Sequence, residues 1–386
     1  MPVINRIADF HDDMTAWRRD LHAHPETAFQ EKRTSDIVAA RLEEFGIDFH
    51  RGLATTGVVG TLTTGEGPCI ALRADMDALD VQELNDIDHK STYPGKMHAC
   101  GHDGHTTMLL GAARYLAETK NFKGTVRFIF QPAEENEGGG RVMVEEGLFD
   151  KFPVEAVYGM HNWPGQNVGT FAVSEGPLMA AYDVFELTVT GKGCHGGMPH
   201  MGIDPVPVAA QIVSALQTIT SRATDPQDAA VVSVTQIHAG HAWNVIPDDV
   251  VMRGTTRAFT PQVQDTLEPA IRRIAGGICQ AHDCQLAMMY ERRYPPTINE
   301  ATTTKAALRA AIDVVGQGNI ITNPTPSMGA EDFAFMLREK PGCYVWLGNG
   351  PGEGGCVLHN PGYDFNDEAL TIGASYWARL VELELG

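Results

Sequence analysis

The stretch His98-Ala99-Cys100-Gly101-His102-Asp103-Gly104-His105 puts one thiol and three imidazoles within eight residues, with no large apolar side chain among them. Thiolate and imidazole suit divalent cations of borderline softness, and the glycines let neighbouring donors converge without steric hindrance. The plainer reading is a His-rich loop capping the helix that follows. The clustering of Cys, His and Asp with nothing bulky to bury favours the metal. The spacing matches neither H-E-x-x-H nor paired C-x-x-C, so the cluster by itself does not say which donors bind.

Gln131-Pro132-Ala133-Glu134-Glu135 directly follows an apolar run at 125–130. In open α/β sheets ligands gather at the carboxyl ends of strands. Most Glu-Glu pairs are solvated loops, but beside a metal one carboxylate can bind the ion while the other takes a proton from a water. His161 closes the apolar run 156–160, and His359 sits in Leu358-His359-Asn360-Pro361, where the proline stiffens the turn. Each is weak alone; together, several segment ends each offer one donor. Gly138-Gly139-Gly140-Arg141 lacks the Lys-Ser/Thr of a phosphate loop and reads as backbone passing close to the site. His22-Ala23-His24-Pro25 reads as a helix end, and Glu331-Asp332 as acids at a helix start.

The elements that must position these residues alternate. Thr34 or Ser35 is expected to cap a helix carrying Ile37, Val38, Leu42 and Phe45 on one face, stopped by Gly46. Strand-like runs follow at 58–62, 69–74, 125–130 and 156–160, with a helix at about 106–116, which predicts an α/β sheet covered by helices. The texture changes near Pro177. Phe185, Leu187 and Val189 alternate with Glu186, Thr188 and Thr190, the pattern of a half-buried strand. From there the order is β-α-β-β-α-β, that of a ferredoxin-like unit. The prediction is a two-domain α/β protein: a mixed-sheet catalytic domain of residues 1–179 and 293–386, with an inserted ferredoxin-like domain at 180–292.

The bulk properties agree. A chain of 386 residues exceeds what one core usually supports. Acidic side chains outnumber basic ones 49 to 29, and a charge of −20 makes nucleic acid and anionic membranes poor partners. The N-terminus lacks a basic-then-apolar signal, no apolar run approaches the roughly 20 residues of a membrane span, and seven scattered cysteines do not form a disulfide framework. A cytoplasmic location is expected.

Taken in order, several segments carry a resemblance that runs nearly end to end: Trp17 to Glu26, Arg73-Ala74-Asp75-Met76-Asp77, His98 to His105, Gln131 to Glu135, Gly191 to His195, Asn244-Val245-Ile246-Pro247, Gly329 to Phe333 and Leu358 to Pro361. The chain resembles the aminoacylase/carboxypeptidase metallohydrolases, in the branch that holds hippurate hydrolase, N-acetyl-diaminopimelate deacetylase and the plant auxin-conjugate hydrolases. The resemblance implies two divalent ions, Mn or Zn with Co or Ni also compatible, on Cys100, His102, Glu135, His161 and His359, with Cys100 bridging. It implies Glu134 as general base, Asp75 as the carboxylate orienting His102, and His98 and His105 as non-ligands. It makes the inserted domain a lid and dimerisation unit, in a homodimer or dimer of dimers, from which His195 reaches the partner's site. Asn244 and Arg257 would lie near the substrate, the guanidinium clamping a carboxylate bidentately. The implied reaction is hydrolysis of the amide bond in small N-acyl amino acids. A carboxypeptidase or dipeptidase on the same scaffold is one alternative, and a non-catalytic binder of acyl-amino acids is another, which has no need of Glu134. One departure stands out. The family's Gly-Gly-His-Ala-Ala is here Gly193-Cys194-His195-Gly196-Gly197, and the extra glycines are expected to loosen the loop around His195.

Overall fold

The strands Cys69–Asp75, Thr125–Gln131, Ala156–Trp163 and Gly342–Gly348 bury nearly every side chain, as parallel strands covered on both faces must. In the computed structural model, which describes residues 3–135, 137–352 and 356–386, these four are mutually parallel neighbours at the centre of a sheet. Gly57–Thr63 and Asp48–Leu53 continue one edge antiparallel. The short strands Phe171–Ala172 and Ile320–Ile321 close the other. The fold is therefore mixed α/β. Asp75 pairs with Gln131, and His161 pairs with Trp346, so the carboxyl ends of the central strands bring the candidate site residues to one rim.

Helices His102–Thr119, Ala301–Val315 and Leu370–Glu384 cover this sheet and share its core with Leu72, Phe128, Tyr158 and Val345. The first of them begins a full turn before the expected 106, so His102 and His105 lie in its opening turn. Gly101 makes that start possible: its φ is +91°, and a Cβ there would lie 2.3 Å from Asn162 Nδ2. The helix Lys32–Glu44 also starts earlier than expected, and neither Thr34 nor Ser35 caps it. The Glu26 carboxylate accepts from Arg33 N (3.0 Å) and Thr34 N (2.8 Å) instead, reaching in from seven or eight residues upstream.

The chain divides into two compact units. The first runs up to Leu178 and includes Ile298–Thr325 and Asp332–Gly386; the second is Met179–Thr297 with the short return Pro326–Glu331. No periodicity in the sequence marks that return; Ala180 N donates to Ser327 O (3.1 Å), and Arg257 Nε to Met328 O (3.1 Å). In the second unit Ala181–Thr190, Ala230–Ala239, Asp249–Ala258 and Gln285–Tyr294 form an antiparallel sheet, with the third strand between the second and the first and the fourth beyond the first. Phe185, Leu187 and Val189 face Ile212 and Leu216 of helix Pro205–Thr218 and Leu267 and Ile271 of helix Pro261–Ala281. Both helices have proline at the start and a capping side chain just before it, Asp204 and Thr260.

Candidate metal centre and active site

The donor atoms of Cys100, His102 and His161 lie within 4.8 Å of one another, as do those of Cys100, Glu135 and His359, and those of His102, Glu134 and Glu135. Cys100 belongs to the first two sets, and its Sγ is 3.4 Å from His161 Nε2. All six residues stand in the first unit.

Three of the imidazoles, His161, His102 and His105, are oriented by what their other nitrogen does. His161 Nδ1 donates to Asn162 O (2.6 Å), which turns the Nε2 lone pair towards Cys100. His102 Nδ1 donates to Asp77 Oδ1 (3.2 Å), leaving Nε2 buried with no hydrogen-bond partner among the described residues. His105 uses both nitrogens: Nδ1 donates to Asp75 Oδ1 (2.6 Å), while Nε2 accepts from Asn162 N (2.9 Å). It has no lone pair left for a cation. His98 is buried outside these donor sets and makes no side-chain hydrogen bond among the described residues. Asp103, last of the potential donors in the cluster, accepts from Arg18 Nε (3.0 Å) and His22 Nδ1 (2.8 Å). His22 is thus more than a helix end. It faces inward and helps tether the loop from behind.

The expected pairing of Asp75 with His102 needs correction. Asp75 and Asp77 share a face at the end of a strand, two residues apart. Asp75 bonds His105 Nδ1 and Arg73 Nη1 (2.6 Å), and its Oδ2 stays 3.9 Å from His102 Nε2. It is Asp77, one pleat further on, that reaches His102 Nδ1, and its other oxygen accepts from Glu135 N (2.9 Å). The i, i+2 spacing of the two aspartates was the available signal.

The segment Gln131 to Glu135 turns sharply at Ala133, whose φ is +56°. Gly139 makes room for the turn, since a Cβ there would lie 1.8 Å from Pro132 O. The glycine run thus lets helix Gly139–Glu145 settle against the site's backbone. Asp332 anchors this corner. Its carboxylate accepts from Gln131 Nε2 (2.8 Å), Arg73 Nη2 (3.0 Å) and Gly140 N (2.7 Å), and its own N donates to Glu134 Oε1 (3.3 Å). Glu135 Oε1 lies 3.1 Å from His359 Nε2 without an aligned hydrogen bond.

The electrostatics suit cations. Burial, then Glu135, Glu134 and Asp75, push the Cys100 thiol well above its ordinary range in the protein alone. Burial opposes charge on His102, yet Asp75, Asp77 and Glu135 raise it to about 10. Such a surplus of buried negative donors, with an orphaned imidazole nitrogen among them, is the environment that divalent ions satisfy. The residues fit the metal.

His195, Asn244 and Arg257 are in the second unit. His195 and Asn244 are brought together: His195 pairs with Val245 on a two-residue ladder, and Gly196 N donates to Asn244 O (2.7 Å). A Cβ at Gly196 would crowd the Asn244 backbone at 3.1 Å, so this glycine permits a close approach. Gly197 N donates to His195 Nδ1 (3.0 Å), which orients the ring. The backbone N–H at position 197 thus meets the ring, and at 196 the absence of a Cβ leaves room for the Asn244 backbone. Arg257 is half-buried over the Tyr182 ring (4.3 Å), with Nε on Met328 O and Nη1 on Thr256 O (2.9 Å) and Thr255 Oγ1. Nε and Nη1 are thus engaged by groups of the protein.

A mixed sheet whose parallel central strands carry such a donor cluster along their carboxyl rim fits a metal-dependent hydrolase. Residues 71–383 match the model of peptidase family M20/M25/M40, and the chain belongs to that family. It is 41% identical to the hippurate hydrolase of Campylobacter jejuni over 381 residues, 98% of each chain. It is 42% identical to the N-acetylcysteine deacetylase of Bacillus subtilis, over 97% of this chain and 98% of that one. Among solved structures, the Bacillus subtilis YXEP protein, a dinuclear metal binding peptidase of the M20 family, superposes with a TM-score of 0.85 at 39% identity, covering 98% of this chain and 99% of that chain. The chain is a metal-dependent amide hydrolase.

Proposed function

We propose that this protein hydrolyses the amide bond of small N-acyl amino acids, with Cys100, His102, Glu135, His161 and His359 holding two divalent ions and Glu134 acting as general base. The observation that supports the reading is where the adjacent carboxylates stand, both within reach of His102. Glu135 stands with Cys100 and His359, while Glu134 is held by Asp332 N at 3.3 Å beside His102. Bound ions would supply Lewis-acid polarisation of the acyl carbonyl and a more acidic water. The mixed thiol, imidazole and carboxylate donors suit Mn or Zn and accept Co or Ni.

Glu134 takes a proton from the attacking water as its oxygen bonds to the acyl carbon. The same carboxyl returns that proton to the nitrogen as the C–N bond breaks, releasing a carboxylic acid and a free amino acid. His195 is suited to the oxyanion. With Nδ1 accepting from Gly197 N, its hydrogen lies on Nε2, a neutral donor for the acyl oxygen. Arg257 Nη2 and Asn244 bind the amino acid's carboxylate. The second unit, whose strand order is that of a ferredoxin-like domain, serves as lid and dimerisation surface, and His195 acts on the partner's substrate. Support for a dimer comes from the fully exposed Trp243 and the half-exposed Ile237 and Val245 on that unit. Cytoplasmic residence is consistent with the described residues, no helix of which is long and apolar enough to cross a membrane.

The names of the relatives favour N-acyl amino acids over peptides. The test is a substrate panel offering N-acetyl, N-benzoyl and indolylacetyl amino acids beside dipeptides and longer peptides, with free amino acid measured. Release from an N-acyl amino acid is expected. Cleavage confined to peptides would establish the carboxypeptidase alternative, and tight binding without any cleavage would make the protein a binder.

A further inference from the structure

Glu31 was not among the residues singled out by sequence, and none of the proposed ligands or acid–base groups touches it. It is completely buried, and its carboxylate does something unusual for its position. It stands immediately before helix Lys32–Glu44, where a carboxylate normally accepts from the first N–H groups of its own helix. Glu26 has taken over that task. The Glu31 carboxylate turns away and receives three donors from three separate segments: Phe29 N (3.1 Å) and Ala133 N (2.9 Å) on Oε1, and Thr56 Oγ1 (2.7 Å) on Oε2.

Those segments share a property. Seven residues other than glycine have positive φ among the described residues, and Phe29 (+59°), Ala54 (+48°), Thr55 (+71°) and Ala133 (+56°) are four of them. Phe29 and Ala133 bond Glu31 directly, and Ala54-Thr55 immediately precede its third partner, Thr56. Left-handed backbone at residues with a Cβ is strained and persists only where the surroundings impose it. One buried carboxylate joins three such turns, and one of the three presents Glu134.

We infer that Glu31 is a positioning residue for Glu134: it fixes the left-handed turn at Ala133 and so sets where the general base stands. The inference rests on the reading of Glu134 as the base. Asp77 on Glu135 N and Asp332 N on Glu134 Oε1 hold the far side of the same turn, so loss of Glu31 frees one end while the other stays tied. A base displaced by about 1 Å can lose a factor of about 10² in rate, with substrate contacts elsewhere unchanged.

The experiment compares Glu31→Gln, Glu31→Asp and Glu31→Ala for kcat, KM, bound metal and thermal melting. Gln keeps an acceptor oxygen for both N–H groups and can donate to Thr56 Oγ1. Asp keeps the charge but falls a methylene short. The expected order of kcat is wild type, Gln, Asp, Ala, with a fall of roughly 10- to 100-fold for Ala, KM within about twofold and metal content unchanged. Full kcat in a folded, metal-loaded Glu31→Ala overturns the inference. If that variant does not fold, Gln and Asp decide: an active Asp with an inactive Gln means that charge matters and hydrogen bonding does not, which also overturns it. Glu134→Gln in the same assay reports separately on the base. Activity there removes the Glu134 reading whatever Glu31 does, whereas an inactive Glu134→Gln beside a fully active Glu31→Ala removes only the positioning role.

Discussion

The rim that gathers Cys100, His102 and Glu135 and the loop that carries His195 solve the same problem, holding a polar side chain in a set geometry, in opposite ways. At the rim Cys100, His102 and His161 are buried, Glu135 is half-buried and His359 is exposed, and the buried groups are tied by a second bond: His161 to Asn162 O, His102 to Asp77, Asp75 to His105 and Arg73. The His195 ring is exposed, with one backbone bond to Gly197 and a two-residue ladder beneath it. Burial makes the rim a site of large and unforgiving energies, because a buried polar group that loses its partner keeps the full desolvation cost. Exposure makes His195 energetically independent of the fold, free to be judged by chemistry alone.

That contrast can be broken or sharpened by substitution. The largest effect belongs to Glu134→Gln, expected to lower kcat by roughly 10²–10⁴ while metal analysis still finds the ions in place. Wild-type turnover in that variant would leave the rim without its base. Next comes His195→Ala, expected to cost roughly 10²–10³ in kcat with melting temperature and metal content unchanged, since the ring is exposed. A falling melting temperature would show the loop to be structural after all. Asp77→Ala is expected to weaken metal affinity by roughly 10- to 100-fold, read by competition with a chelator, because His102 loses its orienting partner. Unchanged affinity would return that task to Asp75.

The smallest effect is on stability. Burial, with a contribution from Asp77, raises the Glu31 carboxyl from 4.5 to about 7. A raised acid favours the folded state while protonated, so its contribution is complete below pH 4.5 and disappears as pH rises through about 7. Glu31→Gln, neutral throughout, should therefore melt a few degrees above wild type at pH 8, with the gap closing towards pH 4.5. A constant gap across that range would mean that the carboxyl titrates normally.

Much of this was legible in the chain because it lies in local runs. The apolar run before Gln131 announced a strand end, and the one before His161 a strand that continues to Trp163, towards the rim where parallel strands gather ligands. The alternation of Phe185, Leu187 and Val189 likewise shows on the buried face of the second sheet. What stayed hidden depends on contacts between distant residues. Whether Asp75 or Asp77 meets His102 is decided by the position of a helix 25 or more residues away, and no spacing rule resolves it. Asp332 meets Gln131 across 201 residues, and Glu31 meets Ala133 across 102. The helix begins at His102, a turn before the expected 106, because the left-handed φ of Gly101 allows it to start there. The close approach of Gly196 to the Asn244 backbone likewise joins residues 48 apart and shows in no local pattern.

The central claim is that the buried rim holds two divalent ions and that amide cleavage requires them. The most direct measurement strips the protein of metal, titrates Mn(II) or Zn(II) back in known equivalents, and follows bound metal and hydrolysis of the best N-acyl amino acid in the same samples. The account predicts no cleavage in the stripped protein and a rise that saturates at two equivalents per chain. Full cleavage by stripped protein, or binding of two ions that restores no cleavage of any N-acyl amino acid, would contradict it.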